Sequence, residues 1–242
     1  DPLTSSAEIA DLATARLSEH LGVTRVYYGE IEGEVLHVER DHTRSVPSLV
    51  GEHPLEPFGP GFLGLYRAGA VIRVDDVDVD PKLTRGGRDE LRKAQIAAFV
   101  DAVLFEDERQ VAVLAVQNAI PRVWTPAEQI LIREVAERLR SAITRAQAEE
   151  RLRESEARQA FLLRLSDALR PLSNAGDVAT TACRLLAEHL DGSRVQYSLI
   201  EGGPGEEVGE ALGEHVRKGV GMPPRYPFAG FGEGVVSVMR AG

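Results

Sequence analysis

Apolar positions along the chain switch between a helical period and a strand period. Ile9, Leu12, Leu17 and Leu21 recur at helical spacing behind Ser5 and Glu8, a capping-box pair, so the chain is predicted to open on a helix. Residues 24–32 and 34–42 are β-rich and flank Glu32-Gly33, which predicts a hairpin. A short helix near 60–68, a strand at 70–76, a helix near 87–95 and strands at 98–106 and 110–118 follow. The pattern is that of a mixed α+β domain over residues 1–125.

A different pattern begins at Thr125-Pro126-Ala127-Glu128, where an N-cap, a first-turn proline and a capping carboxylate stand in the required order. From Pro126 to Arg170 there is no glycine or proline, so one connector helix of about 45 residues is predicted over 126–170, about 68 Å long, with Pro171 as its stop. Ile132, Val135, Leu139, Ala142 and Ala146 keep a 3-4 apolar spacing, whereas Glu149, Arg151, Arg153, Glu154, Glu156 and Arg158 make its centre polar. A helix this polar has no core to enter, and a parallel homodimer seamed by those five apolar residues is the expectation.

The chain also repeats itself. At an offset of 169, Leu3 to Gly33 aligns with Leu172 to Gly202, and 13 of 31 positions are identical where roughly two are expected from average residue usage. Glu19-His20-Leu21 meets Glu188-His189-Leu190, Arg25-Val26 meets Arg194-Val195, and Asn174 and Asp177 repeat the helix start of Ser5 and Glu8. After four inserted residues the offset becomes 173. Phe58-Gly59-Pro60-Gly61 then meets Phe231-Gly232-Glu233-Gly234, and Arg67-Ala68-Gly69 meets Arg240-Ala241-Gly242. Residues 171–242 are therefore expected to be the opening part of a second, truncated copy.

Composition narrows the function classes. With 43% hydrophobic and 27% charged residues, the 242-residue chain is globular and neither fibrous nor disordered. A formal charge of −10 repels phosphate backbones, so nucleic acid is not an expected partner. No apolar run approaches the ~20 residues that span a bilayer, so no membrane contact is expected of these residues. The single Cys183 cannot form an internal disulfide, which suits a reducing, cytoplasmic setting.

The order of pieces resembles the GAF domain, the small-molecule-sensing module of bacterial sensor proteins, and in particular the tandem GAF arrays of sensor histidine kinases. The resemblance rests on the helix end Glu19-His20-Leu21-Gly22-Val23, the strand Arg25 to Ile31 and Val74-Asp75-Asp76-Val77 with Asp80-Pro81. It continues through the apolar run Val111 to Val116 and the exit Trp124-Thr125-Pro126-Ala127-Glu128. It implies an antiparallel sheet of five or six strands, the first and last helices on one face and a ligand pocket on the other. From strand alternation and that resemblance, the pocket is expected at Tyr28, Glu30, Phe58, Phe62, Val113, Ala115 and Gln117, with Asp75 and Asp76 on its rim.

Other motifs point to less. Gly59-Pro60-Gly61-Phe62-Leu63-Gly64 fits GxGxxG, but two prolines in His53 to Pro57 make a poor central strand ahead of it, so a turn into a short helix is expected. The acidic run Asp76 to Asp80 lacks the glycine and glutamate of a calcium loop, where Pro81 and Gly87 stand instead. His37, His42 and His53 are the axial-ligand candidates if haem were bound, and Cys183, opposite Thr14, reads as a packing residue. The first copy has no cysteine to attach a bilin, and the Asn-Lys signature of cyclic-nucleotide GAF domains is missing. The expectation is a non-catalytic sensory module with an unidentified small-molecule ligand and no cofactor, relaying its signal through the long helix to a kinase output. A haem- or bilin-holding sensor, or a GAF-fold enzyme, is the alternative.

Overall fold

Helix α1 (Ser6–Leu21) begins where the sequence places its cap: the Ser5 side chain accepts from the Glu8 amide and the Glu8 carboxylate accepts from the Ser5 amide. The reciprocal pair satisfies two N–H groups that the first turn leaves free. The computed structural model describes residues 5–69, 71–107, 109–203 and 206–231, and the chain divides into two compact units, Asp1–Arg151 and Leu152–Gly242.

In the first unit, β1 (Arg25–Glu32), β2 (Val35–Thr43), β3 (Gly51–Pro54), β4 (Val71–Val74), β5 (Ala98–Glu106) and β6 (Arg109–Asn118) form one antiparallel sheet in the order β3-β2-β1-β6-β5-β4. This is the GAF-like architecture that the resemblance implies. Gly33, at φ 63°, takes the left-handed turn of the β1–β2 hairpin. β3 agrees with the reading of His53 to Pro57 as a poor central strand: it stops at Pro54 and lies at the sheet edge, where Pro54, opposite Val35, has no second neighbour to serve.

Both faces of the sheet are covered, which is why the central strands read as continuous apolar runs. On one face α1 and the first part of α4 (Pro126–Leu169) pack Leu17, Leu21, Ile132, Ala136, Leu139 and Ile143 against Val26, Leu114 and Val116. On the other, α2 (Gly59–Arg67) and α3 (Arg85–Lys93) cover Tyr27, Leu36, Phe99 and Val113. Gly59-Pro60-Gly61 opens α2 as a turn into a helix.

Part of the stripe expected to seam a dimer packs within the chain. Ile132 and Leu139 are buried against the chain's own sheet, in a stripe completed by Ala136 and Ile143. Val135 packs at the edge of that stripe, and Ala142 and Ala146 are half-buried beside it. The periodicity was that of a helix docking on a sheet, which a single helix sequence does not distinguish from a coiled-coil seam. Leu139→Ala is accordingly expected to cost about 3 kcal/mol, with a urea midpoint independent of protein concentration. A midpoint that tracks concentration would return Leu139 to an intermolecular seam.

The described part of the second unit follows the element order in which the first unit opens. α5 (Ala175–His189), β7 (Arg194–Glu201), β8 (Val208–Val216) and β9 (Arg225–Pro227) follow in the order of α1, β1, β2 and β3, with β7-β8-β9 as a three-stranded sheet. The hairpin irregularity recurs too: the register shifts after Tyr28 in β1 and after Tyr197, its counterpart, in β7. At Gly213 a Cβ would stand 2.4 Å from the Ala179 backbone, so glycine lets α5 lie directly on β8. Cys183 is buried there with Sγ directed at the Gly213 carbonyl, 3.4 Å away, and burial raises its thiol pKa. The alignment of Gly232 to Gly242 with the first copy lies outside the described residues.

Candidate functional site

On the sheet face away from α1 and α4, the first unit encloses a cavity of about 560 Å³, within the range of small-molecule sites. Its floor is the sheet itself, through Tyr27, Leu36, Phe99, Asp101 and Gln117. One wall is a ladder of aromatic rings at four-residue spacing, Phe58, Phe62 and Tyr66, leading into and along α2. Successive ring centroids are 5.2 and 5.3 Å apart, and Phe62 meets Phe99 edge-on at 6.1 Å. α3 supplies the opposite wall through Leu91 and Ala94, and Pro47, Ser48 and Leu49 form the rim.

Asp101 is the unusual member of this lining. It is 5% exposed; Oδ2 accepts from the Tyr66 hydroxyl at 2.6 Å, and Oδ1 is buried without a hydrogen-bond partner. Burial pushes its carboxyl pKa up to about 7, against the pull of the Tyr66 hydrogen bond. The same burial, with the Asp101 charge beside it, raises Tyr66 well above the ordinary phenol range, and Tyr27 likewise.

The rim is fastened from below by Arg25, which is 1% exposed. Its Nη1 donates to Gln117 Oε1 at 2.8 Å, and Nη2 donates to the carbonyls of Pro47 and Ala94 at 2.6 and 3.0 Å. Asp41 lies 3.8 Å from Nε and itself accepts from Ser48 Oγ and the Leu49 amide. Burial lowers the Arg25 pKa and the Asp41 charge opposes that shift. One arginine thus joins strand, rim and helix end.

The second unit holds the same latch in register. Arg194 donates to the Val220 carbonyl and lies 3.9 Å from Glu214, which accepts from the Met222 amide. The offsets of 169 and 173 carry Arg25 to Arg194, Asp41 to Glu214, Pro47 to Val220 and Leu49 to Met222. An arginine repeated at the start of two corresponding strands was the available sequence signal.

Of the residues expected from the sequence, Phe58, Phe62 and Gln117 line the cavity, and Val113 and Ala115 lie in the apolar core on that face. Tyr28 and Glu30 do not. They face α1 and α4 at a crevice of about 100 Å³, and Arg140 donates to the Tyr28 hydroxyl at 3.4 Å. Tyr27 pairs with Ala115 and Arg25 with Gln117, so the pocket side of β1 is the other parity. Asp75 is also corrected: it is ion-paired with Arg73 and accepts from the Trp124 amide at 3.0 Å. The Arg73 hydrogen bond holds its pKa below the usual carboxylate value. Asp76 accepts from the Asp78 amide in a turn. Of the histidines, His53 alone borders the cavity, with Nε2 2.6 Å from the Leu49 carbonyl. Among the described residues no cluster of His, Cys, Asp and Glu is arranged to hold a metal, and no helix is long and apolar enough to cross a membrane.

Comparison with known proteins places this geometry. The GAF domain family model matches residues 6–143. No curated protein matches the chain. The PixJ GAF domain of Thermosynechococcus elongatus, solved in its blue-light absorbing form, is 20% identical with a TM-score of 0.52, over 62% of this chain and 91% of that one. The bacteriophytochrome RpBphP3 of R. palustris is 16% identical with a TM-score of 0.63, over 78% of this chain but 44% of its own. A protein solved in a far-red absorbing dark state with bound biliverdin IXa is 20% identical with a TM-score of 0.53, over 60% of this chain and 93% of that one. At these identities the likeness establishes the fold. It also corrects the expectation of no cofactor, because solved structures of this fold include bilin-bound ones.

Proposed function

The chain belongs to the GAF domain family, the match covering more than half of its length, and on that premise we propose that its first unit is a sensory domain whose ligand occupies the cavity over β1, β5 and β6. The observation that carries this reading is Asp101: a carboxylate oxygen buried without a partner, in the lining of an aromatic-walled cavity large enough for a small molecule. An unpaired buried acceptor weakens the fold, and a bound donor removes that penalty.

The relay is built into the far side of the same sheet. Asp75 directly follows β4, its carboxylate holds the Trp124 amide, and the Trp124 indole donates to the Val74 carbonyl at 3.2 Å. Thr125 and Glu128 then cap α4 reciprocally. A ligand that binds two sheet geometries unequally shifts their populations, and α4 carries the difference onward as a small rotation or register change. A sensor histidine kinase is the output that the resemblance to tandem arrays favours.

The bilin-bound neighbours favour a second reading, in which the ligand is a linear tetrapyrrole. The residues fit its reversible form. Phe62, Tyr66 and Phe99 offer flat walls and Asp101 an acceptor for pyrrole N–H groups, and the group would supply absorption of visible light. A thioether link has no sulfur here, because the sole cysteine is Cys183 in α5. Native mass spectrometry of the purified chain, before and after incubation with biliverdin, tests both readings. A bound mass released on denaturation is expected. A chain that keeps its bare mass in both samples would overturn them.

A further inference from the structure

The chemistry of the ligand follows from what the cavity leaves uncompensated, given the reading above that the cavity is the ligand site. Glu90 and Lys93 on α3 neutralise each other at 2.7 Å, and the charge of Arg25 is met by Asp41 at 3.8 Å while its two Nη atoms donate to Gln117 and two backbone carbonyls, with only Nε left without a hydrogen bond. Asp101 has no such counter-charge among the cavity lining residues. Its Oδ2 is fixed by Tyr66, so Tyr66 is a positioning residue, and Oδ1 is the buried carboxylate oxygen left without a partner.

We propose that the cavity selects a flat molecule that donates an N–H, from a cationic or heteroaromatic nitrogen, to Oδ1 of Asp101 while its ring packs against Phe62 and Phe99. A molecule of the same shape that presents a carboxylate at that point brings like charges together in a desolvated site and is turned away.

Benzamidine and benzoate make the pair of probes, since they share a ring and a planar three-atom head but offer donors in one case and acceptors in the other. Binding is read at pH 8 from chemical-shift changes of the Phe62 and Phe99 rings, in the wild type and in Asp101→Asn. In the variant, Tyr66 retains the amide oxygen and the Nδ2 hydrogens replace the acceptor, so the polarity of the floor is reversed without a change of shape. The variant removes a buried charge and so keeps the fold available for the test.

The wild type is expected to bind benzamidine at least about tenfold more tightly than benzoate, and Asp101→Asn to erase or invert that ratio. Equal binding of the two compounds, or benzamidine binding unchanged in Asp101→Asn, overturns the inference and leaves the cavity standing as a ligand site. If neither compound moves either ring in either protein, the inference falls, and the cavity as a ligand site falls with it.

Discussion

The stability of the first unit is expected to fall by about 4 kcal/mol between pH 4 and pH 8 through Asp101 alone. In the unfolded chain this carboxyl titrates at 3.8, and in the folded domain at about 7, because burial penalises its charged form. Well below pH 4 it is protonated in both states and costs nothing. Between the two values the folded state holds a proton that the unfolded state has lost, so stability declines with rising pH and levels off above about 7. A shift of roughly three units corresponds to about 4 kcal/mol at 1.36 kcal/mol per unit. The check is urea unfolding of the wild type and Asp101→Asn at several pH values, since their difference cancels the other titrating groups. Asp101→Asn should match the wild type near pH 4 and exceed it progressively up to pH 8. A constant difference across that range would mean that Asp101 is already ionised in the folded state at low pH, with a partner for Oδ1.

Replacing Arg25 by Met is expected to cost about 3–5 kcal/mol, the usual penalty for leaving one member of a buried ion pair without its partner. The Asp41 side chain, 4% exposed, would keep its charge facing an apolar side chain, and the Pro47 and Ala94 carbonyls would lose their donor. Asp41→Asn in the Arg25→Met background should recover part of the loss, because the remaining group is then neutral. The counterpart in the second unit gives an internal control. Arg194 and Glu214 are 40% and 23% exposed as side chains, and Arg194→Met should cost less than about 1 kcal/mol. Chemical denaturation of the variants measures all three. Equal losses at the two arginines would show that burial is not what makes the first latch strong. Because Nη2 holds the Pro47 carbonyl, Arg25→Met should also speed hydrogen exchange at the Leu49 amide, which donates to Asp41 on the same rim.

How far the sequence reached depended on whether the deciding interactions were local. Helix starts at Ser5, Thr125 and Asn174 were legible because each cap is made within three residues. The β1–β2 hairpin was legible because Gly33 marks its turn, and the internal repeat because sequence identity needs no structure to be seen. What failed was the choice of face. β1 is buried on both sides along most of its length, so no alternation of polar and apolar residues distinguishes Tyr27 from Tyr28, and a one-residue error in parity moves every side chain to the opposite side. The stripe on α4 was visible at Ile132 and Leu139, but the partner it docks on, a sheet assembled from residues 25 to 118, is a property of the closed fold.

The determinants of the site were hidden for the same reason. Asp101 stands in an apolar strand with nothing in its neighbourhood to mark it, and it becomes distinctive only when the fold brings Tyr66, 35 positions earlier, against one oxygen and leaves the other bare. Arg25 reads as one charge at the edge of a strand until Pro47, Ala94 and Gln117 converge on it from separations of 22, 69 and 92 residues. Local hydrogen bonds and glycine turns are written in the sequence because their partners are neighbours in the chain. The cavity, its unpaired carboxylate and the latch beneath its rim come from partners that only chain closure brings together, and burial then turns an ordinary aspartate and an ordinary arginine into the groups that govern the site.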